Sequence, residues 1–259
     1  MDIRKHNRAA WNRETEQGNK WTIPVSSETI AQARKGIWNI VLTPTKPVPE
    51  DWFPKLAGSN VLCLASGGGQ QGPILAAAGA SVTVLDNSPL QLQSDATVSK
   101  RDSLNIRTVE GDMADLSAFP DSSFDLIFHP VSNNFSSDIL VVWKESYRVL
   151  RNGGVLLAGF VNPDVYLFDY KLEEKAGILQ VKYQLPYSDA VDLDADELRQ
   201  RIEKLEPLEF SHTLEEQIGG QLEAGFIITG LFEDRQEEEV GDPLARYMPT
   251  CIATRAVKP

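Results

Sequence analysis

The sequence predicts a doubly wound α/β fold, with a mostly parallel sheet covered by helices on both faces. Three observations lead there. Short apolar runs recur along the 259-residue chain, each followed by a helical stretch. The first of these runs stops at a cluster of small residues, Ala65-Ser66-Gly67-Gly68-Gly69. The next two end on carboxylates, at Asp86 and at Asp112. In open α/β sheets ligands bind beyond the carboxyl ends of the strands, so the small residues and both acids fall where a ligand would sit.

Taken in order, the first strand is Val61-Leu62-Cys63-Leu64, and a helix begins where the glycines end. The second strand, Ser81 to Leu85, places Asp86 and Asn87 at its end, suited to a ribose diol. Ser88-Pro89-Leu90-Gln91 then supplies an N-cap, a proline at the first helical position and a capping-box glutamine. The third strand, Ile106 to Glu110, runs into Gly111-Asp112-Met113, and the fourth, Phe124 to Phe128, into His129-Pro130. A helix from Asp138 to Leu150 leads through an Arg151-Asn152-Gly153-Gly154 turn to a fifth strand, Val155 to Ala158. Thr213-Leu214-Glu215-Glu216 is a further capping box, and Gly225 ends its helix before the strand Ile227 to Phe232. Thr250 to Thr254 has the β-propensity of a last strand.

Gly67-x-Gly69-x-x-Gly72 fits the dinucleotide fingerprint literally, with Asp86 about 20 residues on. Residues farther along the chain separate two cofactor classes. Four motifs in order, Leu64 to Gly72, Val84-Leu85-Asp86, Gly111-Asp112-Met113 and Arg148 to Gly154, resemble those of class I S-adenosylmethionine-dependent methyltransferases, of the small-molecule type 11 kind. The resemblance covers roughly residues 60–161 and, less sharply, 211 to the C-terminus. It implies a Rossmann-like sheet of seven strands whose final strand inserts antiparallel. It also implies S-adenosylmethionine as methyl donor, S-adenosylhomocysteine as product, and transfer by in-line displacement to a small-molecule acceptor. In the terms of that family, Ala65, Ser66, Gly67, Gly69 and Gln71 surround the methionine part of the cofactor. Asp86 and Asn87 hold the ribose, Asp112 and Met113 read the adenine, and His129 borders the site. Cys63 stands where an acid is common and Ala65 where a glycine is common; the alanine implies a turn at negative φ.

Residues 1–56 form an N-terminal helical cap, residues 57–162 the cofactor-binding core, 163–210 an inserted lid and 211–259 the rest of the sheet, all within one domain. Four tryptophans, Trp11, Trp21, Trp38 and Trp52, lie in the cap, where they pack on the core or close over a ligand. Trp11-Asn12 and Gly18-Asn19-Lys20-Trp21 resemble the caps of small-molecule methyltransferases. A helix is expected from Ser27 to Arg34, capped by Ser26 or Ser27. The lid carries Tyr166 and Tyr183, a strand-like run Ile178 to Tyr183 and an acidic helix, Asp194 to Leu205. Trp11, Trp21, Asn133, Asn134, Tyr166 and Tyr183 are candidates to line the acceptor pocket. For Asn133 and Asn134, capping a turn is the alternative; for the tyrosines, gluing the lid to the sheet.

Of three histidines, His6 falls in an N-terminus expected to be mobile, while His129 and His212 are candidate bases. Each has a plain structural reading beside the catalytic one, a satisfied imidazole for His129 and a helix-flank residue for His212. The net charge of -12 argues against nucleic-acid backbones and anionic membranes as partners. No leader or membrane-length apolar run is present, so a cytoplasmic location is expected. Two cysteines, Cys63 and Cys251, in strand-like runs read as buried thiols, and no metal-ligand spacing occurs. Glu237-Glu238-Glu239 reads as a solvated cluster. An NAD-dependent oxidoreductase and a non-catalytic S-adenosylmethionine-binding protein are the competing functions. Asp112-Met113 and the lack of a Tyr-x-x-x-Lys pair weigh against the first, whereas Cys63 and Ala65 lend weight to the second.

Overall fold

The computed structural model describes residues 1–235 and 243–259, so the Glu237-Glu238-Glu239 run lies outside the described residues. The strands are β1 (Asn60–Leu64), β2 (Ser81–Asp86), β3 (Ile106–Glu110), β4 (Phe124–His129), β5 (Leu150–Val161), β6 (Ile227–Asp234) and β7 (Cys251–Val257). They form one seven-stranded sheet in the order β3-β2-β1-β4-β5-β7-β6. Every described pairing is parallel except those of β7, which runs antiparallel to β5 and β6. The strand order reverses between β1 and β4, so their carboxyl ends open a crevice. The helices are α1 (Ile3–Gln17), α2 (Ser27–Ala33), α3 (Gln71–Ala77), α4 (Pro89–Asp102), α5 (Ile139–Val149), α6 (Tyr170–Ala176), α7 (Asp189–Asp192), α8 (Ala195–Glu203) and α9 (Gly220–Glu223). None among the described residues is long and apolar enough to cross a membrane.

The period-two geometry of a strand divides the central apolar runs between two cores. Val61 and Cys63 of β1, Leu126 and Phe128 of β4, and Val155 and Leu157 of β5 face α2, α3 and the cap residues Leu42 and Trp52. Leu62, Leu64, Ile127, Leu156 and Ala158 point the other way, onto Ile139, Val142 and Trp143 of α5. Trp52 and Trp38 therefore belong to core packing, Trp52 against Phe232 and Trp38 against Phe53. Both cysteines are buried and free.

Four local expectations are corrected. Ile178 to Tyr183 forms one bridge, Phe168 to Val181, rather than a strand. Its potential partner is too short, because a 3-10 turn ends at Leu167 and α6 starts at Tyr170. Residues 151–154 extend β5 instead of forming a separate turn. The box at Thr213 closes as expected, with Glu216 N–H donating to Thr213 Oγ1 at 3.1 Å and Thr213 N–H to Glu216 Oε2 at 2.9 Å. What it opens, however, is a π-helical turn, Glu215–Gly219, leading into α9. His6, expected in a mobile segment, sits in α1, where its Nε2 donates to the Glu206 carbonyl at 2.8 Å.

The cap crosses the sheet so closely that a Cβ on Gly159 of β5 would run into the Leu42 carbonyl. That carbonyl also accepts the Val131 N–H at 3.0 Å, so it has little freedom to move. Gly159→Ala is predicted to cost about 1–3 kcal/mol, the usual range for overpacking. A lowered urea midpoint at unchanged m-value would show it.

Candidate functional site

The site begins with the backbone that leaves β1. Ala65 N–H donates to the Leu85 carbonyl at 2.8 Å, tying the turn to β2. The amides of the three glycines are consumed by carboxylates. Gly67 N–H donates to Asp86 Oδ2 at 2.9 Å, and Gly68 and Gly69 N–H both donate to Asp95 Oδ2, at 3.0 and 3.1 Å. Asp86 Oδ1 accepts Ser88 N–H at 2.8 Å, so one side chain fastens the loop to the start of α4. Burial pushes the Asp86 carboxyl up, against the lowering effect of its amide donors at Ser88 and Gly67.

Ala65 adopts φ +46°, which corrects the expectation of negative φ. A side chain in this region carries a cost of roughly 1–2 kcal/mol, here overridden by the surrounding hydrogen bonds. Gly68, at φ +111°, has a stronger requirement, because a Cβ there would also press on the Trp21 carbonyl at 2.8 Å. The missing side chains thus make room for protein. A Cβ on Gly67 would meet Gln91 Cβ at 2.7 Å, and one on Gly69 would meet Pro24 at 3.0 Å.

Asp95 belongs to none of the sequence motifs. It lies on the buried stripe Leu92-Asp95-Val98 of α4 and is 0% exposed. A lone carboxylate inside such a stripe was the available signal. Its Oδ1 has no hydrogen-bond partner. Burial, reinforced by Asp86, raises its carboxyl to about 8 despite the two glycine amides. Cys63 lies close enough to feel its charge, and burial pushes that thiol up as well. A neutral thiol in β1 thus leaves α4 to supply the acid, which accounts for Cys63 at a position where acids are common.

A cavity of about 1070 Å³ opens over this loop. Ala65, Ser66, Gly67 and Gln71 line it, as do Asp86, Asn87, Asp112 and Met113 from the ends of β2 and β3. Asp112 accepts Ala114 N–H at 2.9 Å and lies 3.7 Å from Arg4 Nε. Trp11, Trp21, Asn134, Tyr166 and Tyr183 complete its upper wall.

Four candidates do not reach the cavity. Gly69 is turned to Asp95. His129 is 0% exposed, with its Nδ1 2.9 Å from the Leu64 carbonyl and its Nε2 against Asn133 Oδ1. Burial lowers its pKa, against the raising effect of the Leu64 carbonyl and the Asn133 side chain. Asn133, also 0% exposed, passes the contact on to Gln217 Oε1 at 2.9 Å. His212 Nε2 donates to the Ser136 carbonyl at 2.9 Å, beside that of Asn133 at 3.3 Å. Both histidines are satisfied structural imidazoles that form no part of the cavity wall. The strand-end position suggested otherwise for His129, but its side chain turns inward under the loop.

The cap is sewn to every part of the site. Asn12 Oδ1 accepts the Ser88 hydroxyl at 2.8 Å, Asn87 donates to the Arg4 carbonyl at 2.8 Å, and Asn7 exchanges bonds with Leu208 at 3.0 and 2.8 Å. Gln70 reaches the Lys20 and Ile23 carbonyls at 2.9 and 3.1 Å. The cap therefore holds the glycine loop, β2 and the insert together. Among the described residues, no cluster of three His, Cys, Asp or Glu could hold a metal ion.

Comparison with known proteins agrees with this geometry. Residues 62–158 match the family described as "Methyltransferase domain". The uncharacterized methyltransferase YbaJ of Bacillus subtilis (strain 168) is 55% identical over 253 residues, covering 98% of this chain and 97% of the relative. The chain belongs to the class I S-adenosylmethionine-dependent methyltransferases. A sterol 24-C-methyltransferase of Aspergillus fumigatus is 33% identical over 101 residues, covering 38% of this chain and 26% of its own length. The S-adenosylmethionine-dependent methyltransferase structure from Mesorhizobium loti shares the fold, with TM-score 0.61 at 17% identity over 80% of this chain and 94% of that one. A putative S-adenosylmethionine-dependent methyltransferase structure from Listeria monocytogenes superposes equally well, with TM-score 0.61 at 17% identity over 81% and 94%.

The methyltransferase loop carries a pH signature. Because the Asp95 carboxyl is raised to about 8 when folded, the folded chain holds a proton that the unfolded chain releases in the ordinary aspartate range. Stability is predicted to fall as pH rises from that range toward 8 and to level off above it. Asp95→Asn, which keeps an oxygen for both amides, removes this contribution. Urea unfolding from pH 5 to 9 checks it: the wild-type slope across pH 5 to 8 should be reduced in the variant.

Proposed function

We propose that the chain binds S-adenosylmethionine in the cavity over the glycine loop and transfers its methyl group to a small-molecule acceptor held under the insert. One observation supports this above the others: the amides of Gly67, Gly68 and Gly69 already donate to Asp86 and Asp95. A dinucleotide site needs such amides free for a pyrophosphate, and here the side chains of Asp86 and Asp95 already hold them. A sulfonium with a zwitterionic tail suits the same surroundings. This disfavours the oxidoreductase reading.

The residues present fit the cofactor. Asp86 and Asp112, at the ends of adjacent strands in one cavity, offer carboxylate lone pairs to a diol and to an exocyclic amine. Met113 adds apolar surface for a base. Ala65, Ser66 and Gly67 form the floor. S-adenosylmethionine, when bound, supplies a methyl group activated by its sulfonium for in-line displacement. The chain's part is to orient the partners and exclude water, with Trp11 and Trp21 closing the cap side. Trp11 is held edge-on to Phe135 at 5.2 Å. The departures at Cys63 and Ala65 do not argue for a lost activity, since the loop is built regardless and Asp95 supplies its carboxylate. The net charge of -12 supports a small acceptor over a nucleic acid.

Calorimetric titration tests the reading. S-adenosylhomocysteine should bind and NADH should not. Asp112→Ala should weaken the former about tenfold, on the order of 1.4 kcal/mol, with the fold intact, because the Asp112 side chain is linked to its own turn and to Arg4 at the surface. Asp86→Ala is a less clean probe because it also releases the Gly67 and Ser88 amides. Binding of NADH alone, or unchanged affinity in Asp112→Ala, would contradict the assignment.

A further inference from the structure

The insert contributes a tyrosine- and carboxylate-rich patch to a cavity that Lys171, Lys175, Arg201 and Lys204 also line. Tyr166 stacks on Tyr187 with ring centroids 5.5 Å apart, and Tyr183 meets Tyr187 at 4.8 Å. The hydroxyl protons of two of these rings are committed to carboxylates: Tyr166 donates to Glu209 at 2.6 Å and Tyr187 to Asp189 at 2.6 Å. Asp189 is saturated, since Arg201 and the Glu209 N–H also donate to it, at 2.6 and 2.8 Å. Arg201 is held there, with a further bond to the Pro207 carbonyl at 3.3 Å. Lys182 lies 4.8 Å over the Tyr183 ring and is paired with Asp169 at 3.4 Å and Glu197 at 3.7 Å.

Arg201 is thus engaged by Asp189, and Glu209 lines the cavity beside them. The Asn134 amide lies beside both Glu209 and Tyr166. Asn134 is only 8% exposed, it lines the same cavity, and its Oδ1 has no hydrogen-bond partner. A buried acceptor left open is costly unless a ligand fills it. Around Glu209, Asn134 and the tyrosine rings the wall therefore offers lone pairs and ring faces, and suits a ligand that brings two or more N–H donors and a positive charge. A hydroxyl brings one donor and no charge; a carboxylate brings neither.

Building on the methyl-transfer reading, we propose that the acceptor is a primary or secondary amine, seated among Tyr166, Tyr187 and Asn134, with Glu209 as its proton acceptor. An ammonium gives one N–H proton to the Glu209 carboxylate. The freed nitrogen lone pair forms the new N–C bond and displaces the thioether, which keeps the electron pair of the broken C–S bond. Glu209 then returns its proton to solvent, so one proton is released for each methyl transferred. Burial raises the Glu209 carboxyl, with Asp189 adding to the rise and Tyr166 and Arg201 opposing it, which suits a group that must hold a proton in passing.

The test has two arms. Titration with S-adenosylhomocysteine establishes the cofactor site, and its failure counts against the methyl-transfer reading itself. The protein loaded with S-adenosylhomocysteine is then mixed with benzylamine, N-methylbenzylamine and spermidine, and with phenol, thiophenol and benzoate, and binding is read by saturation-transfer NMR. Transfer to each is read with isotopically labelled methyl donor. Amines should bind and be methylated on nitrogen. Glu209→Gln should lose at least about 100-fold in turnover, with S-adenosylhomocysteine affinity within about twofold. Asn134→Leu, which also removes the amide beside Glu209 and Tyr166, gives a second readout and should weaken amine binding. Cofactor binding without any amine binding, transfer confined to phenol, thiophenol or benzoate, or unchanged turnover in a folded Glu209→Gln would overturn the proposal. If Glu209→Gln does not fold, unchanged amine binding in Asn134→Leu would overturn it.

Discussion

The structure around the cavity depends on the capture of three consecutive backbone amides by two buried carboxylates. Asp86, from the end of β2, and Asp95, from α4, take the N–H groups of Gly67, Gly68 and Gly69 between them. Buried amides without partners are costly, so these bonds fix the path of the loop. The fixed path in turn requires φ +46° at Ala65 and φ +111° at Gly68. It also brings the loop against Gln91, Pro24 and the Trp21 carbonyl so tightly that side chains are excluded. The same bonds bear on function, because a loop whose amides are already used is no phosphate cradle.

The cap extends this constraint. Through Asn7 and Asn12 it is joined to the insert and to the start of α4, and through Gln70 to the loop. Leu42 lies against Gly159 at the centre of β5. The start of α4 and the insert are therefore connected through α1, and polar bonds fasten the aromatic wall of the insert. Ile178 and Val181 of the insert are 52% and 64% exposed, whereas its Leu208 and Phe210 are buried.

The central sheet was readable because its strands are continuous apolar runs with punctuated ends, and the caps at Ser26, Ser88 and Thr213 are local chemistry. Asp86, Asp112 and Met113 were readable from their places at strand ends. What failed was orientation across the fold. His129 ends a strand at the right level, yet its ring turns inward to the Leu64 carbonyl. Asn133 and Asn134 are neighbours in sequence, and only the second lines the cavity. Asp95 and Cys63 are linked through space between α4 and β1, which no motif spacing records. The run Ile178 to Tyr183 has strand composition, but β-structure needs a partner of equal length and the chain supplies none there. Glu209 and Asn7 act through contacts with segments far away in sequence, so their types alone carried no signal.

A crystal structure of the protein with S-adenosylhomocysteine would test the central claim most directly. The thioether should lie against Ala65 to Gly67, the ribose on Asp86 and the adenine beside Asp112 and Met113, with the Gly67, Gly68 and Gly69 amides still bound to Asp86 and Asp95. A ligand that takes those amides for itself, or lies elsewhere while the carboxylates keep them, would contradict it.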